Sequence, residues 1–447
     1  MNESLQVKTG YRDIWKMAYP VIIGSVAVTV LNVTDTIFLG RVSEVALGAS
    51  ALGGVFYFVM TMMGIAIGIG TQIQIARRAG EKNEHSIGEI FDHSLLIFLV
   101  LSLVLFSVLK FLGPFIFKHV VNSEEIFDAS MEFLKYRSFG IFFVMIATSF
   151  RSFYVGINSP RVYGWYSAIM ALTNILLGYM LIFGNFGFQK LGIAGAGIAS
   201  SVAECIGMMY LFGYTFLKKG IRKFQLFHLK KFDLSIITKT LNLSAPLVVQ
   251  NLISMGAWFV FFVFIEKMGE HSLAISNIVR AAYMICMTPI WGFSVAANSM
   301  VSNIIGQGRS EEVFRFVKRV IRFAVLLSLI MAFITVFFPH LVLNLFTTDE
   351  KLIEDSLGSL RMVDLAMIFF AFAIVSISAV SGTGATKAAL LIEIAAIIIY
   401  LLYNYIVVFQ LHLQTEAVWF SEAIYWAFTG IVSFLYLKSG RWKKISI

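Results

Sequence analysis

The sequence is poor in charge. Only 14% of its 447 residues are Asp, Glu, Lys or Arg, against about 25% in a typical soluble domain. With 58% hydrophobic residues and a mean hydropathy of +0.82, the solvent of this chain is mostly lipid. That excludes a soluble enzyme, a nucleic-acid-binding module and a disordered scaffold. Cysteine is scarce too: Cys205 and Cys286 both sit in apolar runs, so neither a disulfide framework nor a metal motif follows. Residues 1–12 are polar and the apolar run after them exceeds a signal h-region of about 7–15 residues, so no cleavable signal is expected. No G-x-x-x-x-G-K-[S/T] loop occurs, and no soluble domain could hold one. An ion gradient is therefore the expected energy source. The seven His are scattered, whereas a membrane enzyme needs His and carboxylates gathered at one depth.

Long continuous apolar runs are abundant, and their continuity excludes an alternating β-barrel. About 20 apolar residues make a spanning helix. By that rule twelve spans are expected, near 14–40, 45–76, 90–118, 128–155, 162–184, 191–217, 236–265, 272–304, 314–346, 356–381, 386–410 and 415–437. The net charge of +9 is topology control and not a nucleic-acid patch, because the basic residues crowd the short even-numbered loops. These hold Arg77, Arg78 and Lys82; Lys218, Lys219, Arg222, Lys223, Lys230, Lys231 and Lys239; Arg309, Arg315, Lys318, Arg319 and Arg322. The tail adds Lys438, Arg441, Lys443 and Lys444. Opposite loops are acidic, with Glu124, Glu125 and Asp128, then Asp349, Glu350, Glu354 and Asp355. Both termini and every even-numbered loop are expected on the cytoplasmic side of a bacterial inner membrane.

The two halves correspond at a shift of about 226 residues. Pro20 meets Pro246, Leu47 and Ser50 meet Leu273 and Ser276, Gly156 meets Gly382, and Tyr179 meets Tyr405. GEKNE from Gly80 meets GRSEE from Gly308 at a slightly larger shift. Six spans per half make the repeats parallel. The expected domains are 1–218 (first lobe, spans one to six), a basic cytoplasmic linker at 219–235, and 236–447 (second lobe and tail). The expected fold is all-α and polytopic, with twelve transmembrane helices in two parallel six-helix repeats. Two such bundles rocking around a shared cleft are the ordinary way to move a solute.

Polar residues inside the spans are the candidate machinery, because a charge at mid-bilayer costs about 2.5–3.5 kcal/mol on insertion scales. Asp35, in VTVLNVTDTIFLG, is the sharpest case: a carboxylate at that depth can exchange a proton or hold a small cation such as Na⁺. Glu204, Glu393 and Glu422 lie in the sixth, eleventh and twelfth spans. Asp364 follows Arg361 by three residues, which predicts a local ion pair on one helix face. Arg280, in the eighth span, calls for a counter-charge or carbonyls. Asn174, Gln250 and Asn251 are neutral amides that can join helices or ligate a cation or a substrate hydroxyl. Pro20 and Pro246 each remove a helical hydrogen bond and permit a bend. The 43 Phe, 16 Tyr, 7 Trp and 19 Met face lipid, neighbouring helices or a cleft suited to apolar cations.

The string MAYPVIIGSVAVTVLNVTDTIFLGRVSEVALGASAL, from Met17, resembles the first-span region of the multidrug and toxic compound extrusion (MATE) family. SAPLVVQNLISMGAWFVFFVFIEKMGEHSLAISNIV, from Ser244, is similar to the same unit in the second half. TNILLGYMLIFGNFGFQKLGIAGAGIAS, from Thr173, resembles the family's fifth and sixth spans with their Gly-rich turn. The resemblance implies a V-shaped exporter with a two-lobed cleft, a monomer in the lipid, exchanging small organic cations and drugs for H⁺ or Na⁺ with no other cofactor. It implies that Asp35 is the cation-coupling acid of the first lobe with Asn174 beside it. Ser200 stands where the family often has Thr, and Glu204 where it often has Gln. The position four residues after Asn174 is Gly178 here. Where NorM-type members carry a seventh-span Glu and a tenth-span Asp, this chain has Ser254 and Phe370, so Glu204, Asp364 or Glu393 is the expected source of a replacement carboxylate. The rival readings are a flippase of lipid-linked or polysaccharide intermediates, expected to have about fourteen spans by the length rule, and an exporter of an endogenous metabolite. A major-facilitator transporter would show a G-x-x-x-D-[R/K]-x-G turn after the second span, where ARRAGEKNEHS stands instead.

Overall fold

The computed structural model describes residues 5–229, 232–445 and 447; Lys230 and Lys231 of the expected linker lie outside the described residues. All described regular structure is helical. Eleven helices are long and apolar enough to cross a membrane, and a bent pair makes a twelfth. They run Tyr11–Gly40, Glu44–Gly80, Glu84–Val120, Glu124–Arg137 with Gly140–Gly156, Arg161–Phe183, Gly192–Leu217, Leu234–Glu266, Glu270–Gly306, Ser310–Phe337, Glu350–Gly382, Thr386–Gln410 and Thr415–Ser439.

The turns explain why the helices start and stop where they do. Side chains of Ser43, Asn83, Ser123 and Asp349 each accept from a backbone N–H three residues on, which satisfies one orphan donor of the first turn. The fifth span ends at Gly184, whose φ of +79° suits glycine and whose Cβ would lie 2.9 Å from the Lys190 backbone nitrogen. The fourth span departs from expectation. It is two helices bent by 48°, breaking at Ser138 and Phe139 rather than running unbroken from 128 to 155. The ninth is shorter than expected: it stops at Phe337, and Pro339 begins a separate short helix to Leu343, because proline has no N–H to continue the ladder.

The chain forms two compact units. One is residues 23–244; the other gathers residues 5–22 with 245–447. The division falls inside the first and seventh spans, not at a linker between 218 and 236. Within the first unit the basic segment is docked: the backbone N–H groups of Phe227 and His228 donate to the Asp92 carboxylate at 2.7 and 2.9 Å, and that of Asp233 meets His93 Nε2 at 2.9 Å. Within the second unit the N-terminal strand of chain is strapped to the ends of the eighth and ninth spans. Val7 N–H donates to Asn303 Oδ1 at 3.0 Å, Gln307 Nε2 to the Val7 carbonyl at 3.0 Å, and Arg319 to the Thr9 carbonyl at 2.8 Å.

Lipid tails are as apolar as Leu, so helices in a bilayer associate through close contact and hydrogen bonds. Glycines supply the contact. A Cβ on Gly195 would lie 2.7 Å from the Leu181 carbonyl group, and one on Gly68 2.7 Å from Thr148. Both cores are aromatic: Phe150 and Phe153 pack edge-on against Phe91 in the first unit, and in the second Phe261 stacks on Tyr400 and meets Trp419 edge-on.

Candidate functional site: two buried carboxylate clusters

The first cluster is built from five spans of the first unit. Asp35 is half-buried on the first span. Asn174, 1% exposed on the fifth, lies beside the Asp35 carboxylate and donates through Nδ2 to Ser200 Oγ at 2.9 Å. Its Oδ1 is buried with no hydrogen-bond partner, leaving an acceptor free beside Asp35. Glu204 is one helical turn beyond Ser200. It is gripped by Arg137, which donates from Nη1 to Oε2 and from Nη2 to Oε1, both at 2.7 Å. The Arg137 guanidinium lies over the Tyr57 ring, 3.6 Å from its centroid, and Tyr57 OH donates to Glu204 Oε2 at 3.1 Å. Gly140 leaves room for this fork, since a Cβ there would strike Glu204 Oε2 and Arg137 Nη1. Arg137 also acts electrostatically on Asp35. One guanidinium thus serves two carboxylates, bidentate to Glu204 and at longer range to Asp35. With Asp35 ionised the acids outnumber it by one charge, and one proton or one monovalent cation restores neutrality.

The second cluster lies in the second unit. Glu393 of the eleventh span meets Ser254 Oγ at 2.5 Å, Gln250 Nε2 at 3.5 Å and Tyr425 OH. Glu422 of the twelfth span accepts from Trp258 Nε1 at 3.3 Å, Tyr400 OH at 3.0 Å, Tyr283 OH at 3.3 Å and Trp426 Nε1 at 3.0 Å. The departure at Ser254 therefore places a hydroxyl against Glu393. Phe370, the other departure, packs edge-on against Trp426 at 4.8 Å.

Two expectations fail. Arg361 and Asp364 form no ion pair: Arg361 is exposed while Asp364 is buried and accepts from Thr335 Oγ1 at 2.5 Å. Sharing a helix face at i,i+3 does not oblige a long Arg to turn inward when it can reach water. Arg280 pairs with no carboxylate among the described residues. It is half-buried with its guanidinium 5.1 Å over the Phe262 ring, a cation–π contact in place of a counter-charge. Asn251 is half-buried on the seventh span. The two cysteines are free. Among the described residues no group of three or more His, Cys, Asp or Glu could hold a metal ion.

Sequence reasoning missed Arg137, Tyr57 and the aromatic donors to Glu422. Arg137 fell inside the expected fourth span, so the rule that picked out the buried acids would have found it. Nothing local flags Trp258, Tyr283 and Tyr400, which meet Glu422 from three other spans.

Twelve apolar spans with carboxylates held inside two helical units define a polytopic membrane transporter rather than an enzyme. The MatE family model matches twice, at residues 20–180 and 246–406. These segments are offset by the same 226 residues that relate Pro20 to Pro246. The chain belongs to the MatE family. It is 24% identical over 452 residues to a probable multidrug resistance protein NorM of Thermotoga maritima, covering 98% of this chain and 94% of that one. It is 26% identical over 340 residues to a Pseudomonas aeruginosa protein of the same name, covering 75% and 69%. Its fold is that of a MOP superfamily transporter from Pyrococcus furiosus, at a TM-score of 0.91 and 19% identity over 99% of this chain and 98% of that chain. It is likewise that of an outward-facing multidrug resistance MATE family transporter, at 0.90 and 20% over 97% and 96%.

Proposed function

We propose that this transporter is an antiporter that exports amphipathic organic cations in exchange for H⁺ or Na⁺, with Asp35 as the coupling residue. One observation carries the reading: Asp35 is an acid inside an apolar span, beside an amide oxygen without a partner, and the nearby guanidinium is already committed to Glu204. A carboxylate so placed has two stable occupancies, ionised with a bound cation or neutral with a proton. An ion that binds one conformation better than the other shifts the equilibrium between them. The membrane potential adds about 2.3 kcal/mol per charge per 100 mV. The names of the NorM relatives support drug-like substrates. The twelve spans favour this reading over a lipid-linked-intermediate flippase.

The Lys and Arg distribution supports a bacterial cytoplasmic membrane with both termini inside. The reading is tested in cells stripped of their own multidrug pumps. Cells expressing the chain should accumulate less ethidium than cells expressing Asp35→Asn at equal membrane levels. Equal accumulation in the two would overturn it.

A further inference from the structure

We propose that Glu393 is a second proton-exchanging carboxylate, set in the second unit beside Glu422. The hydrogen-bond inventory separates the two acids. Glu422 is 3% exposed, and each of its oxygens faces one indole N–H, from Trp258 or Trp426, and one phenol, from Tyr400 or Tyr283. An indole N–H only donates. Either oxygen could place a proton only on a phenol that turned its own hydroxyl away, which would cost Glu422 one of its four donors.

Glu393 is as deeply buried, at 4% exposure, but its surroundings accept a proton. Ser254 Oγ lies 2.5 Å from Glu393 Oε1 and 2.8 Å from the Gln250 carbonyl oxygen. A serine has one proton, and with Glu393 ionised both neighbours are acceptors, so one contact lacks a hydrogen. A proton on Glu393 Oε1 supplies it: Glu393 donates to Ser254, and Ser254 donates to the Gln250 carbonyl. When that proton leaves to water, the Ser254 hydroxyl turns to the carboxylate, which keeps Tyr425 and Gln250 as further donors. Both protonation states are accommodated by one hydroxyl rotation.

The other groups packed around the cluster do not neutralise it. The seventh span presents Gln250, Ser254 and Trp258; the twelfth presents Tyr425, Trp426 and Glu422; the eleventh adds Tyr400. From the eighth span, Tyr283 bonds Glu422 and Arg280 lies over Phe262, while Cys286 stands near Asp364. Asp364 of the tenth span bonds Thr335 of the ninth, and its neighbours Val363, Met367 and Phe370 are apolar. No Lys or Arg bonds Glu393 or Glu422 among the described residues.

The exchange at Glu393 stands by itself; its part in coupling rests on the antiport reading above. Infrared pH-difference spectroscopy on the full chain in liposomes tests it without a transported substrate. The wild type should show carboxylic-acid carbonyl bands that vanish as pH rises. One component should be absent from Glu393→Gln and present in Glu422→Gln and Asp35→Asn. Should Glu393→Gln fail to fold, as judged by its melting profile, Glu393→Asp decides: it should keep the component with a shifted midpoint. A Glu393→Gln spectrum identical to wild type, a component lost only in Glu422→Gln, or a Glu393→Asp midpoint equal to that of the wild type would overturn the proposal. Loss or retention of ethidium export in Asp35→Asn bears on the antiport reading alone.

Discussion

Arg137 organises the first cluster. It neutralises Glu204 through two short hydrogen bonds and leaves Asp35 as the acid free to change its charge. Both members of the pair are well buried, with side chains 14% and 7% exposed. Removing one partner of such a pair costs about 3–5 kcal/mol, because the other is left charged and unpaired, whereas replacing both by apolar groups is often neutral. Glu204→Gln is therefore expected to lower the melting temperature in detergent, and Arg137→Met with Glu204→Leu to recover most of the loss. A double variant no more stable than Glu204→Gln would contradict the pairing. Asp35 and Glu204 could be read from the sequence because an acid amid Val, Leu and Ile stands out. Arg137 answers to the same rule, since it lies inside the expected fourth span, although the charged residues before it in SEEIFDASMEFLKYR make it less conspicuous. The donors to Glu422 were not legible at all: positions 258, 283, 400 and 426 share no local spacing, and only packing brings them together.

At the scale of the helix, contact depends on what a glycine leaves out. The fifth and sixth spans touch through Gly195, where a Cβ would lie 2.7 Å from the Leu181 backbone, whereas Gly213 on the same helix has open space around it. Gly195→Ala should destabilise by about 1–3 kcal/mol through overpacking. Gly213→Ala should stabilise by about 0.5–1 kcal/mol through backbone entropy. Tryptophan-fluorescence melting of the two variants checks the pair, and equal shifts would mean that the helices do not meet at Gly195. Span limits were largely legible, since runs of apolar residues and Gly or Asn turns mark them. The break at Ser138–Phe139 was not: no Pro marks it, and Gly140 just after it resembles other glycines that sit inside unbroken spans, such as Gly64 and Gly68. The early end of the ninth span was signalled by Pro339, which the hydropathy run overrode.

For the whole molecule, the repeat was the most legible feature. Matches such as Pro20 with Pro246 fixed a shift that the two MatE segments reproduce. The place where the chain divides was not legible, because composition changes at the basic linker while the packing changes at Ser244 and Ala245. Topology has its own check: Lys223→Cys in a chain with Cys205 and Cys286 replaced should react with a membrane-impermeant thiol reagent only after the cells are opened. Labelling of intact cells would place the basic segment outside. The central claim, coupling through Asp35, is tested most directly by ethidium uptake into proteoliposomes under an imposed pH gradient and, separately, an imposed Na⁺ gradient. One gradient should drive uptake at least about fivefold above the rate without it, the lower end of ordinary coupling free energies, and Asp35→Asn should remove that stimulation. Uptake indifferent to both gradients, or an Asp35→Asn variant that responds like the wild type, would contradict the account.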